Sequence, residues 1–171
     1  MAKIICNLAT SVDGFIADEN GGVDWLNDFQ AEDYGMIDFF EQCGTAIMGS
    51  KTYEQALSFN SWFGKMDGIV FTSRKLPLFR NETIHFVSGD PVPVAAELHK
   101  KEKNTWLVGG GQLITSFIDL HLLDELVITI VPRLLGKGLE LCPAIKEVGK
   151  LQLLDSKAHS DGVLQLTYRF A

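Results

Sequence analysis

Two stretches of the chain share one grammar. "IMGSKTYE" (residues 47–54) and "WLVGGGQLITSF" (residues 106–117) each run from a short apolar segment through glycine into side chains at helical spacing. Glycine inside a strand or a helix weakens it, so these glycines belong at a join. A strand that passes straight into a helix returns to the sheet as a parallel neighbour, and two such units restrict the chain to the α/β class.

The remaining segments fit that class. "IICNLAT" (residues 4–10) is apolar on both faces, as expected of a central strand. Residues 11–31 are polar and glycine-rich, too long for an ordinary connection. They form either a surface excursion or a lid over a site. "EDYGMIDFFEQCG" (residues 32–44) has helical spacing, with Gly44 as its C-cap. "TAIMG" reads as a strand, "SKTYEQAL" as a helix and "GIVFTS" as a strand. A helix follows "DPVPV", with Pro91 and Pro93 near its start. "TWLV" is a strand, "GQLITSFIDL" a helix, and "LVITIV" a buried strand closed by Pro132. "LQLLDSKAH" and "VLQLTYRF", around Ser160-Asp161-Gly162, form an antiparallel hairpin with Leu164, Leu166, Tyr168 and Phe170 on one face. The expected fold is a three-layer α/β sheet, mostly parallel, with an antiparallel C-terminal hairpin.

At 171 residues the chain is read as one domain, 1–171, able to bury roughly two thirds of its unfolded surface. Its net charge of −7 and the lack of a Lys/Arg run argue against nucleic acid or an anionic membrane as partner. Cys6, Cys43 and Cys142 are odd in number and lack metal-type spacing, which suits reduced thiols in the cytoplasm. The four histidines are scattered, with surface or strand positions expected and no metal site. The N-terminal apolar stretch is too short for a secretory signal, and no run reaches the length of a membrane span.

The glycine junctions lie at the carboxyl ends of strands, where open α/β sheets bind ligands. Free helix N–H groups and bare backbone suit a phosphate. Gly49, Ser50, Lys51 and Thr52 form one candidate cradle; Gly109, Gly110, Gly111, Gln112 and Leu113 form the other. Two cradles suit two linked phosphates. The strand end at Thr72, Ser73 and Arg74, followed by Lys75, offers hydroxyls and cations to a further, dianionic phosphate. That combination points to NADPH rather than NADH.

"MGSKTYE", "FTSRK", "VGGGQLI" and "DELVITIVP", in this order, resemble segments of the dihydrofolate reductase superfamily. The opening "NLATSVDGFIA" is closer to the branch holding the reductase domain of the bifunctional riboflavin-biosynthesis deaminase-reductases. The resemblance covers nearly the whole chain. It implies a dihydrofolate-reductase-like fold, NADPH as hydride donor, a planar nitrogen heterocycle as substrate, and pairing as a homodimer to which residues 131–143 contribute. By the same resemblance Ala9 and Ile16 line the nicotinamide site, the two glycine cradles meet the pyrophosphate, and Ser73 and Arg74 meet the 2′-phosphate. Asp13, Trp25 and Ile37 are the expected substrate contacts.

Departures narrow the substrate. The Asp-Pro-x-Leu-x-x-Arg segment that serves the substrate's ribose phosphate in the riboflavin enzymes is absent; "ALSFNSWFGKMDG" stands there. The zinc deaminase signature is absent too. The leading named activity is that of 5-amino-6-(5-phosphoribosylamino)uracil reductase, with a true dihydrofolate reductase as an alternative. A binding module that keeps the cofactor site without turnover is the reading from another class.

The last candidate is Asp33. Reducing a ring C=N bond needs a proton as well as a hydride. With a helix starting near Asp33, Met36, Ile37 and Phe40 follow at i+3, i+4 and i+7, which places the carboxyl on the apolar stripe. A carboxyl there has a raised pKa and can hold a proton near neutral pH. A helix cap is the alternative, a role that Glu32 fits equally.

Overall fold

The computed structural model describes residues 1–30, 32–79, 83–146 and 149–171. Its elements, in chain order, are β1 (Ile4–Ser11), β2 (Phe15–Ala17), α1 (Met36–Gln42), β3 (Cys43–Gly49), α2 (Ser50–Phe59), β4 (Asp67–Phe71), β5 (Ile84–Val87), α3 (Val92–Leu98), β6 (Asn104–Gly109), α4 (Gly111–Asp119), β7 (Glu125–Val131), β8 (Leu139–Glu140), β9 (Leu151–Ala158) and β10 (Leu164–Phe170). Eight strands form one sheet in the order β5-β4-β3-β6-β1-β7-β10-β9, and β2 pairs with β8 in a separate antiparallel pair. Neighbours from β5 to β7 run parallel. The β7–β10 and β10–β9 pairs are antiparallel. The three-layer, mostly parallel reading with an antiparallel hairpin holds.

The central strands are buried on both faces because helices cover both. On one face Ile4, Cys6, Ile47 and Leu107 pack against Ala95 and Leu98 of α3 and Ile114 and Phe117 of α4. On the other, Ala46, Met48, Val70 and Trp106 pack against Tyr53 of α2, with Met36, Phe39 and Phe40 of α1 beside them. Successive side chains of a strand point to opposite faces, so Ile47 and Leu107 serve the first layer while Met48 and Trp106 serve the second. Among the described residues no helix is long and apolar enough to cross a membrane.

Three local expectations are corrected. The helix expected over residues 32–44 spans only Met36–Gln42. Gly35, at φ 77°, is left-handed and stops it on the N-terminal side. On the other side Cys43 is extended and registers with Asn104 of β6, so Gly44 lies inside β3 and is no C-cap. Sheet pairing outweighs the helical pattern there. The short strands β2, β5 and β8 add to the expected set; two to four residues are too few to show a period in the sequence. His159, expected on the surface or in a strand, is a buried residue of the β9–β10 turn.

The cysteines are free. Burial pushes the Cys43 and Cys142 thiols up to about 11, and Cys6 is raised further for the same reason, so none is a reactive thiolate at neutral pH.

Candidate functional site

Parallel strands share one direction, so β4, β3, β6 and β1 present their carboxyl ends along one edge of the sheet, in that order. The chain leaves β3 through α2 over one face towards β4, and leaves β6 through α4 over the opposite face towards β7. Helices diverging to opposite faces open a crevice between β3 and β6, the place where doubly wound sheets bind ligands.

Both glycine cradles meet in that crevice. Gly110 N–H donates to Thr52 Oγ1 at 3.2 Å, and a Cβ on Gly49 would lie 4.0 Å from the Gly109 carbonyl oxygen. Gly109 (φ 134°) and Gly110 (φ 25°) need glycine for their backbone conformation. The reason for Gly111 is different. A Cβ there would sit 2.6 Å from the Glu140 carbonyl oxygen and 2.9 Å from Pro143 Cδ. It is bare to admit its own chain, the Glu140–Pro143 segment. Leu113 donates its amide to Gly110 and turns its side chain towards the core, so it has no open N–H for a phosphate. Exposed Gln112, half-buried Ser50 and Thr52, and exposed Lys51 remain at the crevice rim.

One strand further out, the β4 end is polar. Thr72 Oγ1 accepts the Arg74 N–H at 3.0 Å. The Arg74 guanidinium lies against Glu54 of α2, with Nη1–Oε1 at 3.1 Å and Nη2–Oε2 at 2.7 Å. Ser73 and Arg74 are exposed and Thr72 is half-buried.

At the β1 side of the same edge lies a cavity of about 340 Å³. Asn7, Leu8 and Ala9 of β1 and Thr129 and Val131 of β7 form its floor; Trp106 and Met36 close one side. Leu26, Phe29 and Gln30 form another wall, and Tyr34 and Val163 close the end. The segment after β2 thus covers the cavity. Its position is held by Gln55 Nε2 donating to the Gly21 carbonyl at 2.9 Å and by an Asp28–Arg133 ion pair. The Arg133 guanidinium also lies 5.5 Å from the Phe29 ring centre.

The polar groups of the cavity are fixed from behind. Trp106 Nε1 donates to the Asn7 carbonyl at 2.9 Å. Among the described residues the Asn7 Nδ2 meets only the Met36 sulfur, at 3.6 Å. Gln165 Nε2 donates to Thr129 Oγ1 and to the Tyr34 carbonyl, both at 3.2 Å. Tyr34 takes a left-handed φ of 51°. Its hydroxyl donates to Asp161, which together with burial raises the phenol to about 12. Its ring meets His159 edge to face, at 4.9 Å between centres. His159 Nδ1 lies 2.8 Å from Glu32 Oε2. Two polar pairs therefore join the β9–β10 turn to the segment before α1 and hold Tyr34 at the cavity end.

Asp33 is corrected. Its carboxylate accepts the amides of Ile37 and Gly35, each at 3.2 Å, and these bonds hold its pKa below the ordinary carboxylate value. It is exposed and caps the helix; its carboxyl is the opposite of a raised-pKa acid. Glu32, the other capping candidate, is engaged by His159 instead. Asp13 is corrected likewise: it accepts the amides of Gly136 (2.7 Å) and Leu135 (3.1 Å). With the Ser11 hydroxyl as the largest influence, these bonds bring it down to about 2. Ile37 is 64% exposed, and neither it nor Trp25 lines the cavity. Trp25 lies in a short 3-10 turn beside Leu26, its indole N–H buried without a partner among the described residues. Ile16 is a half-buried residue of β2, while Ala9 lies in the cavity wall.

Sequence reasoning missed Asn7, Tyr34, Trp106 and Thr129. One signal was present. Asn7 interrupts the apolar run of residues 4–9 in β1, and a buried amide in such a place needs a partner.

The family model of the RibD C-terminal domain matches residues 2–165. The uncharacterized protein YwjB of Bacillus subtilis (strain 168) is 32% identical over 169 residues, covering 97% of this chain and 97% of its own. Among solved structures, a protein of Shewanella sp. PV-4 named for riboflavin biosynthesis superposes with a TM-score of 0.88 at 30% identity, over 99% of each chain. Dihydrofolate reductase from Enterococcus faecalis, complexed with NADP(H), gives a TM-score of 0.70 at 18% identity, over 98% of this chain and 96% of that one. This last likeness concerns the fold.

Proposed function

The chain belongs to the RibD C-terminal domain family, and from that premise we propose that it is an NADPH-dependent reductase of a pyrimidine- or pteridine-like nitrogen heterocycle. The observation that carries the reading is the alignment along one sheet edge: a cationic strand end, two touching glycine cradles and a partly open cavity, on four adjacent strands. Strands lie about 4.8 Å apart, so the Arg74 end and the Ala9 wall are separated by three steps, roughly 14 Å. An extended dinucleotide suits that path. Arg74 would hold the 2′-phosphate, the amides around Ser50–Thr52 and those of Gly111 and Gln112 the pyrophosphate, and Ala9 would border the nicotinamide.

When bound, the cofactor supplies a hydride to a ring carbon of the substrate. The chain's own residues hold the ring and exclude water. Asn7, Gln30, Tyr34 and Thr129 offer hydrogen bonds around a largely apolar cavity, which suits a planar heterocycle. Among the described residues, none that lines the cavity is Lys or Arg. A phosphorylated ribosyl group, or the carboxylates of dihydrofolate, would find no cation in that lining, so the reading favours an uncharged ring over either named substrate. No described lining residue carries a carboxyl group; in this reading the proton comes from a hydroxyl or from water.

That acid-free lining favours a second reading, a cofactor-binding module without turnover. NADPH oxidation against a panel of pyrimidines and pteridines separates the two: consumption with any member supports the reductase, and saturable binding without consumption supports the module.

A cytoplasmic setting, where three free thiols persist, is part of the same reading. So is a homodimer. Leu134 and Leu139 of the expected contact region are 74% and 46% exposed, and the edge strand β9 is exposed throughout. Sedimentation velocity is expected to show two copies at micromolar concentration; a monomer there removes the pairing.

A further inference from the structure

The Arg74 fork is already occupied by an acid of the same chain. Glu54 stands one helical turn beyond the Ser50–Lys51–Thr52 cradle and takes both terminal nitrogens of the guanidinium, at 3.1 and 2.7 Å. We propose that Glu54 sets the cofactor preference, offering its carboxylate to an unphosphorylated ribose and opposing a 2′-phosphate, so that the site discriminates only weakly between the two. This inference rests on the reading of the β4 end as the ribose site.

First, carboxylate and guanidinium are both about half exposed, with 42% and 53% of their side-chain surfaces open. Exposed pairs of this kind are weak and exchange partners readily, so an arriving phosphate can displace Glu54 from Arg74. Secondly, displacement does not remove the charge. While paired, the Arg74 hydrogen bond, with Lys51 adding to it, keeps the Glu54 carboxyl below the ordinary range, and an exposed glutamate released from that pair is ionised at neutral pH on its own account. A dianionic phosphate bound by Arg74 would stand beside that anion, and like charges at such range oppose binding. Thirdly, a ribose 2′-hydroxyl is a donor. An ionised acid at this place is the partner that dinucleotide-binding folds use for the unphosphorylated sugar, as arginine is for the phosphorylated one. Here both residues share one position. Thr72 fixes the arrangement by accepting the Arg74 backbone N–H at 3.0 Å.

The test is a calorimetric titration of the full chain with 2′,5′-ADP and with 5′-AMP, at low and high salt. Glu54→Gln keeps the shape and removes the charge. It is expected to tighten 2′,5′-ADP about tenfold at low salt, the scale of one unscreened repulsion, and to leave 5′-AMP unchanged or a few-fold weaker. The gain shrinks as salt screens the pair. Arg74→Ala is the companion variant, expected to weaken 2′,5′-ADP alone. If Arg74→Ala weakens 2′,5′-ADP while Glu54→Gln changes neither probe, the discriminating role of Glu54 is overturned and the ribose site stands. If neither probe binds, or Arg74→Ala weakens both equally, the ribose site is lost and the inference with it.

Discussion

Ala9→Trp is expected to lower reductase turnover by about a hundredfold or more, the scale of pushing reactants out of attack geometry, while leaving 2′,5′-ADP affinity nearly unchanged. Ala9 lines the cavity from β1, paired in register with Thr129. An indole there would fill space that ring and nicotinamide must share. The adenosine end of the cofactor would lie three strands away, at β4. Turnover assays and calorimetry read the two ends separately. Equal loss at both ends would mean that the variant has disturbed the sheet, and unchanged turnover would mean that the cavity is not where the substrate reacts.

Trp106→Ala is the largest expected effect on stability. The residue is 7% exposed. Its ring meets Phe63, Phe40 and Phe39 at 5.0, 5.2 and 5.8 Å between centres, and its N–H holds the Asn7 carbonyl. Truncating a buried tryptophan costs about 3–5 kcal/mol, which for a chain of this size lowers Tm on the order of 10 °C. The same change opens the cavity towards the second core layer and frees Asn7, so substrate affinity falls with stability. A loss below about 1 kcal/mol in denaturant titration would show that these four rings do not act as one packed group.

How much of the molecule is legible in the sequence follows from how local each signal is. The strands β1, β3, β6 and β7 are written as apolar runs because both faces are buried. The two glycine joins are written as contiguous segments. From these the order of layers and the crevice can be foreseen. The cavity cannot, since its walls come from β1, β6, β7, the loop over residues 26–30, Tyr34, Met36 and the β9–β10 turn, distant in sequence and brought together by strand pairing and side-chain contacts. Asp33 illustrates how a local pattern misleads. Counting a helix from residue 33 puts Ile37 on the buried stripe, but Gly35 starts the helix late and turns it, so that Met36, Phe39 and Phe40 face the core. Asp33 is left outside as a cap. Gly111 teaches the reverse: the sequence marks a glycine as required there, yet what it admits is the Glu140–Pro143 segment.

The proposed reaction has this sheet edge join a dinucleotide to a heterocycle and move a hydride between them. Its most direct measurement follows NADPH absorbance in the presence of the purified chain and single pyrimidines and pteridines, with Ala9→Trp as control. The expected result is saturable oxidation of NADPH, matched one to one by a reduced ring product, with at least one uncharged heterocycle, and loss of that oxidation in the control. Tight NADPH binding with no oxidation across the panel, or oxidation that Ala9→Trp leaves intact, would contradict it.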